Sequence, residues 1–323
     1  MTKQGTGCNS GNTIIRICVL ILLLTPGLVA LGQQKKVCFT MDDMPVVSYG
    51  ITDTNYQKNL FNKLTQSLRR HNIPAIGFVI GKKLYTADGI DQFQVRLLES
   101  WLNSGLDLGN HTYSHPDYNS VTLKEYIWNI EQGEPITKKL LADHGKALKY
   151  FRHPYLHVGN TKGKADSLSD YLSARGYTVA PVTIDNDDYL FAVAYKRAQD
   201  KNDRSLMTQI GSDYTSYLEK KLHYYERQAK NLFGRAINQI LLFHASALNS
   251  DYGDSLALMF VRNNYSFVSL DKALEDPVYK TEVTSFGNYG ISWLDRWALS
   301  RGKTGEYFKD DPVPPDYVKK MSK

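Results

Sequence analysis

Apolar positions along this chain follow two alternating rhythms. Short, nearly unbroken apolar runs, of the kind that make buried strands, occur at 35–41, 73–80, 105–109, 147–151, 177–184, 239–243 and 265–270. Between them the spacing changes to three and four. Tyr56, Leu60, Phe61, Leu64 and Leu68 predict a helix with one buried face, and 93–102 predicts another. Thr122-Leu123-Lys124-Glu125 is a capping box ahead of Ile127, Ile130 and Ile136. A helix through Leu168, Tyr171 and Leu172 ends at Gly176, a residue suited to a left-handed cap. The stretch 190–235 reads as two long helices broken near Gly211, and 255–261 suits a further helix. Beyond Asp276 the pattern decays into an aromatic, proline-bearing tail with Trp293 and Trp297, and no internal repeat is evident.

Strands alternating with helices predict a parallel sheet, and seven such units predict a barrel-like closure of an α/β fold. Ligand sites in such sheets lie at the carboxyl ends of the strands. Five polar clusters fall at such ends: Asp42-Asp43, His111 with His115, Arg152, the run from Asp185 to Asp188, and His244. Their common placement predicts one shared mouth. His111 and His115 are four apart, so a single helical turn would aim both imidazoles the same way, half of a zinc site. Such a pair arises by chance in many chains, so the reading depends on a third ligand, a base and an acid elsewhere.

Composition adds an address and removes some function classes. At 323 residues, 42% hydrophobic and 22% charged, the chain is long enough for one large domain or two small ones. Residues 1–32 have the form of a signal peptide: Lys3 and Arg16, an apolar run from Ile17 to Leu24, then Pro26 and Ala30-Leu31-Gly32. An uncleaved N-terminal anchor is the alternative; otherwise no stable membrane span is expected, and the mature chain is exported to the periplasm or the medium. Neither Cys8 nor Cys18 has a lipoprotein context, and only Cys38 remains after cleavage, which excludes an intramolecular disulfide. The net charge of +6 falls to about +4 with the leader, too diffuse for a nucleic-acid partner.

At these residues the chain resembles the polysaccharide deacetylases of the NodB-homology type, carbohydrate esterase family four. The resemblance runs from Lys36 to Leu270 through five motifs in order: Phe39-Thr40-Met41-Asp42-Asp43, His111 to His115, Arg152-His153-Pro154-Tyr155, Asp185 to Tyr189, and Leu242-Phe243-His244. It implies an irregular (β/α)7 barrel, here with a long helical insert at 190–235. It also implies a domain order of leader (1–32), catalytic domain (33–275) and C-terminal extension packing on the barrel (276–323). By resemblance, Asp43, His111 and His115 hold a divalent metal, usually Zn2+, with Co2+, Ni2+ or Mn2+ also accepted by such ligands. Asp42 is then the general base, Arg152 its partner, the backbone N–H of Tyr155 an oxyanion donor and His244 the acid. An aspartate tethers His244: Asp188 is preferred, with Asp185 in reserve. Met44 stands where the family commonly has glycine and is expected to narrow the mouth; Tyr189 stands where tryptophan is common and is expected to alter a wall of the acid's pocket.

The function implied is removal of acetyl groups from N-acetylated sugars of a polysaccharide or oligosaccharide. O-acetyl esters of xylan or another hemicellulose are the alternative substrate, with an ester leaving group less dependent on His244. A two-carboxylate glycosidase fits poorly, because adjacent Asp42 and Asp43 cannot flank a glycosidic bond. A non-catalytic sugar-binding module leaves the complete set of base, ligands, arginine and acid unexplained. His71, His144 and His223 read as surface or capping residues, and His153 and His157 as packing or groove-lining groups. Trp293 and Trp297 share one helical face, read as packing on the barrel rather than as a sugar platform.

Overall fold

The computed structural model describes residues 1–2, 4–7 and 34–323, and the expected leader lies almost wholly outside them. Residues 34–323 form one compact unit. Its elements run β1 (Lys35–Met44), α1 (Thr54–Arg70), β2 (Ile76–Val79), a small hairpin of β3 (Tyr85–Thr86) and β4 (Gly89–Ile90), α2 (Gln92–Asn103) and β5 (Asp107–Asn110). Then come α3 (Leu123–Gln132), α4 (Pro135–Asp143), β6 (Tyr150–Phe151), α5 (Lys162–Ala174), β7 (Thr178–Val179), α6 (Asp188–Asp200) and α7 (Arg204–Phe233). The chain finishes with β8 (Gln239–His244), α8 (Ala247–Arg262), β9 (Tyr265–Phe267), α9 (Leu270–Leu274), α10 (Trp293–Ser300) and α11 (Asp316–Met321).

The main sheet is parallel, in the order β7-β6-β5-β2-β1-β8, with β9 pairing the first residues of β1. Its centre, β1, is buried along almost its whole length, as a strand covered on both faces must be. Phe39 there meets Phe243, Phe260 and Phe267 edge-on at 5.3, 5.2 and 5.1 Å. Removing that ring would cost about 3–5 kcal/mol in lost transfer energy and cavity. The two ends of the sheet meet through an irregular segment. After β7, Thr183 and Ile184 both donate to the Ile240 carbonyl, and Leu242 donates back to Ile184. The sheet therefore curls on itself into the irregular barrel that the alternation of strands and helices predicts. Cys38 is free and buried in it, its thiol pushed up to about 12 by burial, and takes part in no disulfide.

Several local expectations are corrected. The runs at 147–151, 177–184 and 265–270 form only two- or three-residue strands, because the curl lets few of their amides reach a neighbour in register. The long helical stretch breaks at Lys201–Asp203, not near Gly211. Asn202 is left-handed (φ 54°), and Asp203 caps α7 by accepting from Leu206. Gly211 is buried inside α7, where a Cβ would fall 1.8 Å from the Tyr252 ring; its smallness serves close packing of α8. Met44 does not narrow the mouth: it is fully buried, packed over Gly77 of β2. The capping box at Thr122 and Glu125 is present as expected.

The C-terminal tail shares the core. Trp297 is buried between Phe233 and Tyr279, at 5.5 and 6.0 Å. Lys221 of α7 reaches Asp311 at 2.6 Å, and Tyr317 donates to Asp213 at 2.6 Å. Among the described residues no helix is long and apolar enough to cross a membrane.

Candidate active site

Strand register assembles the site. β1 and β8 run in register with Asp42 opposite His244, so a carboxylate and an imidazole emerge side by side at the strand ends. β5 pairs β6 at Asn110 and Phe151, which brings the next residues, His111 and Arg152, together. His111 N–H donates to Val79 O at 3.0 Å and Arg152 N–H to Asn110 O at 3.0 Å, so both side chains leave from a hydrogen-bonded backbone.

Asp43, His111 and His115 converge. Asp43 Oδ1 lies 3.5 Å from His111 Nε2 and 3.4 Å from His115 Nε2. Bonds of about 2.0–2.2 Å in a tetrahedral array set neighbouring donor atoms about 3.3 Å apart, so the separations suit a shared ion. His111 Nδ1–H donates to the Arg152 carbonyl at 2.8 Å, which fixes the tautomer and leaves the Nε2 lone pair for a metal. Burial and the neighbouring His111 push His115 down to about 4, so it is neutral at pH 7. Burial works against ionisation of Asp43, but the His111 hydrogen bond and the His244 and Lys83 charges outweigh it and hold the carboxyl well below its usual range. These three residues form a site for a divalent metal.

The two imidazoles do not sit on a helical turn. Residues 111–117 are an irregular loop in which Thr112 (φ 67°) and His115 (φ 58°) are left-handed, and the rings meet at 4.9 Å between centroids. The His115 N–H donates to Thr112 Oγ1 at 3.1 Å, and Asp117 holds His157 Nδ1 at 2.6 Å. Asp43 is also left-handed (φ 62°), and the Lys83 ammonium clamps its turn by donating to the Asp43 and Val46 carbonyls at 2.6 and 3.1 Å.

Beside the metal set lies Asp42, 3% exposed, with Oδ2 at 3.5 Å from Arg152 Nη1 and 3.9 Å from His111 Nε2. Arg152 is fully buried, lies over the Phe78 ring at 4.7 Å and donates to Thr40 Oγ1 at 2.8 Å. At the end of β8, His244 Nδ1–H donates to Asp188 Oδ1 at 2.7 Å and its backbone N–H to Oδ2 at 2.8 Å. Asn249 Nδ2 gives Oδ2 a further bond at 2.7 Å. Burial opposes protonation of His244, but Asp188 first, then Asp43 and Asp42, outweigh it and push the imidazole up to about 10. Asp185 makes no such bond; burial and Asp187 push its carboxyl up to about 7.

Tyr155 lies at the edge of the His115 ring, 4.5 Å between centroids, with backbone φ of 56°. Its N–H donates to no backbone or side-chain acceptor among the described residues. Tyr189 is half exposed on the first turn of α6. His153 is buried edge-on to Phe151 at 5.1 Å, pushed down to about 3 by burial and by the Arg296 and Arg152 cations: a neutral packed ring. It borders a cavity of about 260 Å³ between α5 and residues 282–296, which none of the metal ligands line. His71, His144 and His223 bond to Asp254, to the Leu140 carbonyl and to Glu226 respectively.

Sequence reasoning missed Lys83, Thr40, Asn249 and Tyr49. Tyr49 sits where Asp188 and Asp43 both raise its phenol, after burial. Thr40 lies inside the first motif, which assigns it no role; Lys83, Asn249 and Tyr49 lie outside every motif, and only the short distance of Asn249 from His244 could have flagged it.

Residues 31–177 match the polysaccharide deacetylase family. A peptidoglycan-N-acetylglucosamine deacetylase of Bacillus cereus is 32% identical over 123 residues, 38% of this chain and 37% of that protein. A chitin deacetylase of Colletotrichum lindemuthianum is 28% identical over 128 residues, 39% of this chain and 47% of that protein. The matched segment thus spans less than half the length of each of these relatives. A solved peptidoglycan N-acetylglucosamine deacetylase shares the fold at 18% identity, with a TM-score of 0.51 over 75% of this chain and 88% of that one. Matched segment, curled parallel sheet and metal set agree: residues 31–177 are similar to the polysaccharide deacetylase family, and the chain shares the fold of the solved deacetylase.

Proposed function

We infer that this protein is a metal-dependent deacetylase of N-acetylated sugars in a polysaccharide or oligosaccharide, carried by residues 33–275 with 276–323 as an extension. The observation that carries this reading is the juxtaposition of the Asp43, His111 and His115 set with a neighbouring carboxylate, Asp42, and with the aspartate-held imidazole of His244 at the adjacent strand end. Zn2+ is the ion proposed, since one carboxylate and two imidazoles suit it. When bound, the ion supplies Lewis acidity toward the attacking water and the acetyl carbonyl.

The chain's own groups do the rest. Asp42 Oδ1 has no hydrogen-bond partner among the described residues and takes the proton of the attacking water. Arg152 pairs with Asp42 at 3.5 Å and aims its carboxylate. The Tyr155 N–H donates to the oxygen that gains negative charge. His244, held as an imidazolium by Asp188, gives its proton to the departing amine, which is too poor a leaving group to depart as an anion. That hold favours an amide over an ester, whose alcohol leaves with less help. The relatives named as peptidoglycan and chitin deacetylases support an N-acetylated glycan as the substrate class. An exported location rests on the N-terminal pattern of Lys3, Arg16 and Ile17 to Leu24.

The test is acetate release by the full chain, metal-loaded and EDTA-stripped, from N-acetylglucosamine oligomers and from O-acetylated xylan. Metal-dependent release from the amides is expected. Release from the esters alone would move the function to an O-acetyl esterase, and release that survives chelation would remove the metal from the mechanism.

A further inference from the structure

Tyr155 and Leu156 are consecutive non-glycine residues with left-handed backbones, φ 56° and 55°. Such a pair persists only where its surroundings over-determine it. Local bonds supply part of the hold: Leu156 N–H donates to His153 O at 3.1 Å and His157 N–H to Pro154 O at 3.0 Å. The remainder comes from the far end of the chain. Arg296, 1% exposed, donates through Nη2 to Leu156 O at 2.7 Å and to Tyr289 O at 3.0 Å, tying the two segments together. Between those two bonds the chain passes Gly290, where a Cβ would fall 1.9 Å from the Tyr155 carbonyl oxygen and 3.2 Å from His157 Cδ2. No residue but glycine fits there without moving the Tyr155 peptide.

Packing alone does not call for an arginine here. Among the described residues no carboxylate lies within 4 Å of the Arg296 guanidinium, which is instead held over the rings of Tyr289 and Trp293 at 5.2 and 5.5 Å. A buried cation with no carboxylate in contact is costly, and burial pushes Arg296 down to about 10 despite the nearby Asp295. What a methionine or leucine in its place could not do is bond two backbone carbonyls. Trp293 anchors the same segment by donating its N–H to Val182 O at 2.6 Å, and its ring packs with Leu156, Val182 and Leu242.

We propose that Arg296 and Gly290 are positioning residues: through them the C-terminal segment fixes the Tyr155–Leu156 backbone and thereby aims the Tyr155 N–H at the acetyl oxygen. This rests on the deacetylase reading, in which that N–H faces the developing charge. The 31–177 segment that matches the family contains neither residue, so on this proposal the oxyanion donor is supported from outside that segment.

The experiment compares Gly290→Ala, Arg296→Met and Arg296→Lys with wild type in the full, metal-loaded chain. Steady-state kinetics on an N-acetylglucosamine oligomer, metal stoichiometry, Tm and amide hydrogen exchange at residues 155–157 are measured for each. Gly290 lies in an exposed loop, so its variant tests the idea even if Arg296→Met folds poorly. Gly290→Ala should lower kcat about 10- to 100-fold, since a misplacement of about 1 Å has effects of that size. Its KM should stay within about twofold and its metal stoichiometry unchanged, because only transition-state contact is lost. Exchange at 155–157 should quicken, and Arg296→Lys should recover part of the loss seen in Arg296→Met. Trp297→Phe, which loosens the same tail away from the loop, should lower Tm but keep kcat. The proposal is overturned if kcat and exchange in Gly290→Ala and Arg296→Met match wild type, or if kcat falls only in step with Tm as in Trp297→Phe. Should wild type release no acetate at all, the deacetylase reading fails, and exchange at 155–157 alone decides whether the tail fixes the loop.

Discussion

Asp42 and Asp188 are both buried, at 3% and 1% exposure, and are held in opposite ways. Asp188 has both oxygens engaged: Oδ1 accepts from His244 Nδ1, and Oδ2 from the His244 N–H and from Asn249. Asp42 has one loose cationic neighbour, Arg152 at 3.5 Å, and an Oδ1 with no partner. A carboxylate with both oxygens held by donors fixes a neighbour and is poorly placed to take a proton from a third group. One with a free oxygen can accept it. On the proposed mechanism the same residue type serves as tether in one place and as proton acceptor in the other, and the hydrogen-bond count is the difference between them.

The largest effect should come from removing the free oxygen. Asp42→Asn is expected to lower kcat on the N-acetylated oligomer about 10³-fold, within the range for loss of a general base, with metal stoichiometry unchanged. An Asp42→Asn enzyme within tenfold of wild type would place the base elsewhere. Removing a metal ligand instead, as in His111→Ala, should abolish both activity and stoichiometric binding, which separates loss of the base from loss of the ion.

Next in size is the tether. Asp188→Asn should lower kcat on the amide about 10- to 100-fold and shift the alkaline limb of its pH profile downward. The sign follows from the imidazolium. With Asp188 ionised beside it, His244 stays protonated up to about 10. Without that charge its pKa falls toward the ordinary value of about 6.5, and the acid is lost as pH rises through neutrality. Stability moves with it. Because the folded pKa lies above the unfolded one, the stabilisation is fully present below about 6.5 and is lost as pH rises through about 10. Wild-type Tm should therefore decline across that window more steeply than that of Asp188→Asn, and equal slopes would contradict the assignment.

Both carboxylates were legible before the fold, and for the same reason. Asp42 closes an apolar run at the end of β1, and Asp188 follows another run in a polar cluster, so the rule placing sites at strand ends found both. Their division of labour was less accessible. Asp188 as the partner of His244 came from family resemblance, and spacing alone left Asp185 equally eligible. What decides it is that α6 starts at Asp188 and sets that side chain under the end of β8. Two groups that support the site were invisible because each reaches it from outside the motifs: Lys83 on the Asp43 turn and Arg296 on Leu156. Thr40 lies within the first motif, but its place beneath Arg152 depends on how the sheet sets the end of β6 relative to β1. The histidine pair was found for a reason that proved wrong in detail. Left-handed residues at Thr112 and His115, not a helical turn, bring the rings together. Hydrophobic period reports which face is buried, and it is silent on the backbone of an irregular loop.

The smallest predicted effect is the finest test of the comparison. Asn249 contributes one of the three bonds that hold Asp188, and it also donates to the His244 carbonyl at 2.9 Å. Asn249→Ala leaves the charge of Asp188 and its bonds to His244 in place but frees one lone pair. If the bonds around Asp188 are what keep it a tether, the variant should lose only about three- to tenfold in kcat, below the full worth of a hydrogen bond to a charged group because Asn249 acts on His244 only through Asp188. Its alkaline limb should move less than that of Asp188→Asn, because the ion that raises His244 remains. A loss as large as that of Asp188→Asn would show that orientation, not charge, is what Asp188 supplies. No change in either quantity would show that two bonds from His244 already suffice and that the hydrogen-bond count does not distinguish the two carboxylates.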